Sequence, residues 1–341
     1  MRLDRAARPS RGDPVADRHR VAVVGAAGFG GAVCALLARR HPSLELTVVT
    51  ARGDAGRRHD ELYPRYRVPL VLEEFDPDRI ADRADAALVA YPHGAAAPAV
   101  AALRERGLKV VDLSADFRLG LERYERWYGR HEAPDLLDDA VYGLTEAHRE
   151  QIREAELVAA PGCYPTAALL AVLPLRDHIA DLVVDAKSGV SGAGREATEV
   201  THFVSVTENV EAYKVNGHRH SAELEQELPD GARFTFVPHL IPMEQGLLAT
   251  CYVTLDRPLT SEEVRGLYRD AYEAEPFVEL APEPPGTDEV RETNRCRIHV
   301  TVAGDRVIAL AAIDNLWKGA AGQAMQDLNL MLELPETEGL D

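Results

Sequence analysis

A cysteine lies between a Pro-Gly turn and a predicted helix start, in the stretch APGCYPT at residues 160–166. The first turn of a helix offers backbone N–H groups without partners and the positive end of the helix dipole, and both favour a thiolate over a thiol. We therefore predict that Cys163 is a nucleophile with a lowered pKa. One of these N–H groups would also stabilise an oxyanion formed during attack.

A thiol nucleophile needs a base, and the densest histidine cluster is NGHRHSAE at residues 216–223. A histidine that is distant in sequence can meet a cysteine in the fold and activate it. We predict that His218 and His220 are catalytic and that Glu223 orients one imidazole. A surface loop that happens to hold two histidines and a metal site both stay open as alternatives. The sequence offers no obvious third metal ligand, so we predict no metal.

A glycine-rich loop, GAAGFGG at residues 25–31, follows the buried-strand run at residues 21–24 and precedes a helical pattern. In this context glycines let the backbone approach a pyrophosphate, and the helix start donates N–H groups to it. The residues predicted to bind a dinucleotide here are Gly25, Ala27, Gly28, Phe29 and Gly30. A thiolate and a nicotinamide cofactor together indicate an acyl group held as a thioester and exchanged with an aldehyde by hydride transfer.

The end of the second predicted strand indicates which cofactor binds. An NAD site carries an acidic residue there, whereas this strand ends in Thr50 and Arg52, with no carboxylate before Asp54. A hydroxyl and a guanidinium suit a 2′-phosphate, so we predict NADP(H). The alternative is an Arg52 that faces solvent in an arginine-rich chain.

Further candidates lie in two other segments. Ser191 and Gly192, in the glycine-rich stretch at residues 188–195, are predicted to contact the cofactor, although a plain flexible loop has the same composition. The candidate substrate-binding residues are Ser114, Arg118, Arg195 and Tyr213. Arg118 could bind a phosphate with two parallel hydrogen bonds or pair with Asp116 instead.

The elements that must position these residues follow from the apolar pattern. From residue 20 to residue 163, short apolar runs alternate with helical spacing, which predicts a Rossmann-type, doubly wound parallel sheet. The predicted nucleotide, substrate and cysteine segments all follow strand ends, so they would share one rim of that sheet. Longer β-rich segments at residues 164–316 predict a second, α+β domain that carries the catalytic groups. Residues 317–341 hold a helix expected to complete the first domain, and residues 1–19 are read as a disordered extension.

Composition limits the functions that remain. The chain has 341 residues and a formal net charge of -18, which argues against nucleic acid as a partner. No apolar run is long enough to span a membrane. Four cysteines without a C-x-x-C pair give no disulfide framework and fit a cytoplasmic protein.

Taken together, these segments resemble the N-acetyl-gamma-glutamyl-phosphate reductases of arginine biosynthesis from about residue 20 to the C-terminus. The resemblance rests on the cysteine signature at residues 158–174, on the Pro-His-Gly at 92–94, on YGLTE at 142–146, on His-Arg-His at 218–220 and on DNLWKGAAGQ at 314–323.

The resemblance implies a fold like that of the aspartate-semialdehyde and glyceraldehyde-3-phosphate dehydrogenases, with the second domain also forming a homodimer or homotetramer. It implies NADPH-dependent reduction of N-acetyl-glutamyl 5-phosphate, a small acyl phosphate, to N-acetyl-glutamate 5-semialdehyde through a thioester on Cys163. It also implies that His218 is the acid/base and that Asn315 lies near the nicotinamide.

Three alternative functions stay open. The nearest is the same chemistry on N-acetyl-aminoadipyl phosphate of lysine biosynthesis, often carried on a small acidic protein to which this acidic chain would dock poorly. The others are a regulatory NADP-binding protein that has kept the fold and a cysteine hydrolase that uses no cofactor. Retention of the cysteine and histidines argues against the second, and the glycine loop argues against the third.

Overall fold

The computed structural model describes residues 18–340. Most of the predicted N-terminal extension therefore lies outside the described residues, and the first strand begins at His19 rather than after it. Within the described chain, no helix has both the length and the apolar character needed to cross a bilayer.

The first half of the chain forms a six-stranded parallel sheet in the order β2-β1-β3-β4-β6-β5. Its elements are β1 (His19–Val24), α1 (Phe29–Arg40), β2 (Leu44–Thr50), α2 (His59–Leu62), α3 (Pro77–Ala81), β3 (Ala86–Val89), α4 (Ala96–Arg104), β4 (Lys109–Asp112), α5 (Leu121–Tyr128), β5 (Ala140–Tyr142), α6 (Thr145–Glu154) and β6 (Leu157–Ala159). β3 is fully buried along its length, because helices cover both faces of the sheet, as parallel strands require. The predicted Rossmann-type sheet is confirmed.

The second half forms a seven-stranded mixed sheet in the order β11-β12-β13-β10-β7-β9-β8. Its elements are α7 (Cys163–Val172), β7 (Ile179–Gly189), α8 (Phe203–Val206), β8 (Glu211–Ala212), α9 (Ser221–Glu227), β9 (Arg233–Ile241), β10 (Leu247–Leu255), α10 (Ser261–Tyr272), β11 (Val278–Leu280), β12 (Cys296–Ala303) and β13 (Arg306–Ile313). Alternate residues of β10 are buried, and they pack with α7 and α10 in one apolar cluster. This is the predicted α+β partner of the first sheet.

The C-terminal segment returns to the first sheet. A π-helical turn (Trp317–Ala321) leads into α11 (Gly322–Met331), so the single helix predicted within residues 317–341 is divided. Apolar residues of α11 share a core cluster with α1 and β1. A fully buried ion pair joins the π-helical turn to α6, since Lys318 Nζ lies 2.6 Å from Glu146 Oε1.

Candidate active site

Cys163 is the first residue of α7 and follows directly on the turn after β6. Gly162, in the N-cap position, provides no side-chain cap for the helix. Pro165 has no N–H group, so the backbone N–H groups of Cys163 and Tyr164 remain available at the helix start. Both N–H groups lie close enough to the thiol to lower its pKa.

Burial nevertheless dominates the protonation of Cys163. Displacement of water raises the pKa of the thiol to about 11, and the N–H group of Tyr164 and the charge of Arg118 offset this only in part. Part of the packing comes from Gly319, where an added Cβ would lie 2.7 Å from Cys163 Cβ. The expectation of a lowered pKa is therefore wrong for the free chain, because desolvation outweighs the helix start.

The two histidines just before α9 pack on residues 160–164, which we call the cysteine turn. The rings of His218 and His220 lie 4.6 Å apart, and a Cβ added to Gly162 would lie 2.5 Å from His220 Nε2. Burial lowers the pKa of both imidazoles to about 3, and nearby cations add to the effect. Both rings are therefore neutral at physiological pH.

Hydrogen bonds distinguish the two imidazoles. His218 Nδ1 accepts the backbone N–H of His220 at 3.1 Å, which places the proton of the neutral ring on Nε2. That nitrogen lies 3.4 Å from the hydroxyl of Tyr213. In the part of the chain that the structure describes, neither ring nitrogen of His220 has a hydrogen-bond partner, and Nδ1 is buried.

Glu223 holds the cysteine turn instead of an imidazole. Its buried carboxylate accepts hydrogen bonds from Arg118 Nη1 at 3.0 Å, the Tyr142 hydroxyl at 2.8 Å and the backbone N–H of Gly162 at 2.9 Å. The prediction that Glu223 orients a histidine is thus corrected. As the third residue of α9 it points across to Gly162, and within residues 18–340 it accepts no hydrogen bond from either imidazole.

Arg118 also binds the cysteine turn, and its ion pair is with Glu223 and not with Asp116. Its Nε donates to the carbonyl of Ala160 at 2.7 Å and its Nη2 to the carbonyl of Leu113 at 2.7 Å. With the ion pair to Glu223, these bonds occupy all three guanidinium nitrogens of a buried side chain. The structure therefore places Arg118 behind the cysteine, although we predicted it among the substrate-binding residues.

The other three predicted substrate residues fall in different places. Ser114 is buried and bonds its hydroxyl to Asp112 at 2.6 Å, so it shapes the turn after β4. Arg195 bonds the carbonyl of Ala27 at 3.1 Å, which puts it at the dinucleotide loop rather than beside the cysteine. Only Tyr213 lies near the reactive group, with its hydroxyl 3.4 Å from that of Tyr164.

Sequence reasoning missed two cations beside the histidines. Arg219 lies with its guanidinium 5.1 Å from the Tyr128 ring centroid and contacts His93. Lys214 is exposed, and its charge lowers the pKa of His218 and His220. Neither cation has a carboxylate within 4.0 Å among residues 18–340. Lysine occurs only four times in the chain, and this rarity was the available signal.

The glycine loop fits a dinucleotide phosphate. Gly25 has a φ of +87°, and an added Cβ would lie 2.8 Å from the carbonyl of Ala90. A Cβ on Gly31 would lie 2.2 Å from the carbonyl of Gly25. Gly28, the N-cap of α1, leaves the helix start without a side-chain cap or an acidic residue in the first turn. The free N–H groups of Phe29, Gly30 and Gly31 therefore form an anion site.

The second strand completes this site. The carbonyl of Thr50 accepts the N–H groups of Gly25 at 3.1 Å and Ala26 at 2.9 Å, which fixes the start of the loop. Next to it lies an open cleft of about 510 Å³ lined in part by Arg52 and Tyr91. The guanidinium of Arg52 lies 4.9 Å from the Tyr91 ring centroid. This exposed cation beside an aromatic ring suits the adenosine end of NADP, with its extra phosphate.

Three of the predicted cofactor residues are in contact with one another, namely Asn315, Ser191 and Gly192. Asn315 Nδ2 lies 3.0 Å from Ser191 Oγ, and its Oδ1 accepts the N–H of Gly246 at 2.8 Å. Gly192 lies against the same amide, since an added Cβ would be 3.6 Å from Asn315 Nδ2. The contact of Arg195 with Ala27 joins this loop to the dinucleotide loop. In residues 18–340, no group of three or more acidic, cysteine or histidine side chains is arranged to hold a metal.

Comparison with known proteins gives the family. Residues 20–155 match the family model described as semialdehyde dehydrogenase, NAD binding domain, and residues 163–315 match semialdehyde dehydrogenase, dimerisation domain. The N-acetyl-gamma-glutamyl-phosphate reductase of Moorella thermoacetica is 45% identical over 338 residues, which are 94% of this chain and 98% of that protein. That of Heliobacterium modesticaldum is 47% identical over 343 residues, again 94% of this chain and 98% of the relative.

The solved structures agree on the fold. The aspartate semialdehyde dehydrogenase with NADP from Candida albicans superposes with a TM-score of 0.70 at 15% identity, covering 92% of this chain and 98% of that one. At this identity the likeness concerns architecture alone. The two reductases from Moorella and Heliobacterium are 45% and 47% identical to this chain over 98% of their own length. The chain therefore belongs to the N-acetyl-gamma-glutamyl-phosphate reductase family.

Proposed function

We propose that this protein reduces N-acetyl-γ-glutamyl phosphate to N-acetyl-glutamate 5-semialdehyde, with release of phosphate, in arginine biosynthesis. The observation that carries the proposal is a cysteine at a helix start, with two neutral histidines packed on its neighbours Gly162 and Tyr164, in a chain of this family. NADPH, when bound at the glycine loop and Arg52, supplies the hydride that reduces the thioester.

Acylation requires the Cys163 thiol to lose its proton, because burial keeps it protonated in the free chain. We assign the accepting atom to His220 Nε2, which lies against Gly162 and has no other partner in the described chain. The Cys163 sulfur bonds to the acyl carbon while the bond from that carbon to the phosphate oxygen breaks. The proton held on His220 passes to the departing phosphate.

The negative charge that develops on the acyl oxygen during attack must be stabilised by hydrogen-bond donors. The N–H groups of Cys163 and Tyr164 at the start of α7 can supply two hydrogen bonds to it. The proton on His218 Nε2, next to the Tyr213 hydroxyl, offers a third donor. When the aldehyde leaves, the carbon–sulfur bond breaks, and the Cys163 thiolate regains a proton from solvent through His220.

The substrate carries a phosphate and a carboxylate, so its site needs unpaired cations. Arg118 and Arg195 are committed to internal contacts, and we assign the anionic groups to Arg219 and Lys214 instead. Both lie in the segment that carries the histidines, and both already raise the positive potential there. Arg118 and Glu223 act as positioning residues for the cysteine turn.

A homo-oligomer is part of the proposal, and so is a cytoplasmic location. One face of the mixed sheet packs on α7 and α10, whereas the apolar side chains of its other face belong to no core cluster of the described chain. The half-buried residues on this open face include Val183, Leu248, Tyr252, Ile308 and Leu310. We propose that a second copy of the chain covers them.

The proposed cytoplasmic location rests on the cysteines. All four cysteines are free, as expected in a reducing compartment.

The decisive experiment is phosphate-dependent reduction of NADP⁺ by purified protein. It is run first with N-acetyl-glutamate 5-semialdehyde and then with the aldehyde that is one carbon longer. We expect the reaction to need phosphate and to prefer the shorter aldehyde. Preference for the longer aldehyde would indicate the lysine-type substrate, and the absence of any turnover with either aldehyde would contradict the proposed reaction.

A further inference from the structure

Exposed apolar side chains are concentrated in one short segment of the second domain. Seven large hydrophobic residues are exposed in residues 18–340, and five of them lie within residues 200–215. The most exposed are Phe203 at 74% and Val204 at 73%, followed by Val210 at 64%. Single exposed hydrophobics are ordinary, but a cluster of this kind marks a contact surface.

Four of these five residues lie within residues 196–210, which we call the projecting segment. The projecting segment makes no hydrogen bond to the rest of the described chain. In the described residues, its hydrogen bonds are all internal, such as Thr198 to Thr201 at 2.9 Å and Asn209 to Ser205 at 3.1 Å. Its only regular element is the four-residue helix α8, and none of its side chains belongs to a core cluster. Nothing in its own subunit fixes the projecting segment.

Both ends of the projecting segment are anchored at the site described above. Just before it, Ser191 bonds Asn315 and Arg195 bonds the dinucleotide loop. Just after it, β8 pairs with β9, and Tyr213 meets His218. Movement of the segment would therefore disturb the cofactor side and the histidine side of the site together.

We propose that a second copy of this chain covers the projecting segment and thereby holds Ser191 and Tyr213 in their working positions. The inference rests on the homo-oligomer proposed above, and it does not depend on the substrate. Three observations favour a second copy as the occupant. The segment lies inside the region that matches a dimerisation domain. It extends, through β8, a sheet whose open face also lacks a cover. Its three most exposed apolar side chains, Phe203, Val204 and Val210, are of the kind that the buried core of a contact between two copies takes up.

The test is Phe203→Asp, with Leu121→Asp as the matched control. Leu121 is also an exposed hydrophobic, at 43%, and lies in the first domain at the start of α5. The mass of each protein in solution and its activity per subunit are measured over about a thousandfold range of concentration. We expect Phe203→Asp to weaken association at least about tenfold and to make activity per subunit fall on dilution. The control should keep the mass and activity of the unchanged protein.

A second readout uses the unchanged chain. Chymotrypsin should cut after Phe203 faster in dilute protein than in concentrated protein, because assembly covers the site. A monomer at all concentrations, or a Phe203→Asp variant with normal mass and concentration-independent activity, would overturn the inference. If the proposed reaction is wrong instead, the unchanged protein shows no turnover at any concentration, while the change in mass caused by Phe203→Asp persists.

Discussion

The pH at which Cys163 becomes reactive is the sharpest test of the site. Burial raises the pKa of this thiol to about 11, four units above neutral pH, so about one molecule in ten thousand carries a thiolate at pH 7. Alkylation by iodoacetamide follows the thiolate fraction. Its rate in the protein without cofactor or substrate should therefore rise about tenfold for each pH unit between 7 and 10.

The assay is the appearance of one alkylated peptide by mass spectrometry. Cys163→Ser is the control and should show no fast-reacting site, because burial raises the pKa of Cys34 and Cys251 to about 12 and that of Cys296 still further. A rate that reaches a plateau below pH 9 would refute the reasoning. It would mean that the helix start outweighs desolvation, as the sequence alone suggested.

Four further predictions concern single substitutions. Glu223→Gln removes the charge that faces buried Arg118, so the free energy of unfolding should fall by about 3 kcal/mol, measured by urea denaturation. An unchanged urea midpoint would contradict a stabilising ion pair between Glu223 and Arg118. Gly319→Ala forces Cys163 to move, since the new Cβ would lie 2.7 Å from its Cβ. Its kcat should drop about a hundredfold with unchanged NADPH binding, and a normal kcat would contradict close packing. Arg52→Ala should weaken NADPH by about 2 kcal/mol and NADH hardly at all in fluorescence titrations, whereas equal losses would exclude a 2′-phosphate contact. Burial raises the pKa of Asp327 from 3.8 to about 8, so its contribution to stability is complete below pH 3.8 and is lost as pH rises through 8. Asp327→Asn should flatten that decline in urea midpoints, and an unaltered slope would contradict the raised pKa.

Local pattern predicted the elements that carry a periodic signal. The strand at residues 21–24, the strand that ends at Thr50 and the glycine loop all appear where the sequence indicated them. The strands β5, β8 and β11 have only two or three residues, which is too short for any periodicity to show. They depend on pairing with neighbours that the sequence does not identify.

The sequence predicted part of the candidate site and few of its contacts. Cys163 and His220 could be named because their residue types are chemically specific. The direction of Glu223 could not, because it depends on where Gly162 lies after folding. The protonation of Cys163 depends on Gly319, which is distant in sequence and reaches the cysteine only through the C-terminal segment. Long-range packing of this kind leaves no trace in local spacing.

The return of the C-terminal segment has a consequence for biosynthesis of the protein. The first sheet is made early, yet α1 and α6 each keep an apolar surface that the C-terminal segment covers, and Glu146 meets its partner only when Lys318 arrives. During synthesis from the N-terminus the nucleotide-binding half therefore waits with an exposed face until nearly the whole chain has left the ribosome. The half that is translated first is thus the last to mature, and a chain truncated before residue 317 would present that face to chaperones and proteases.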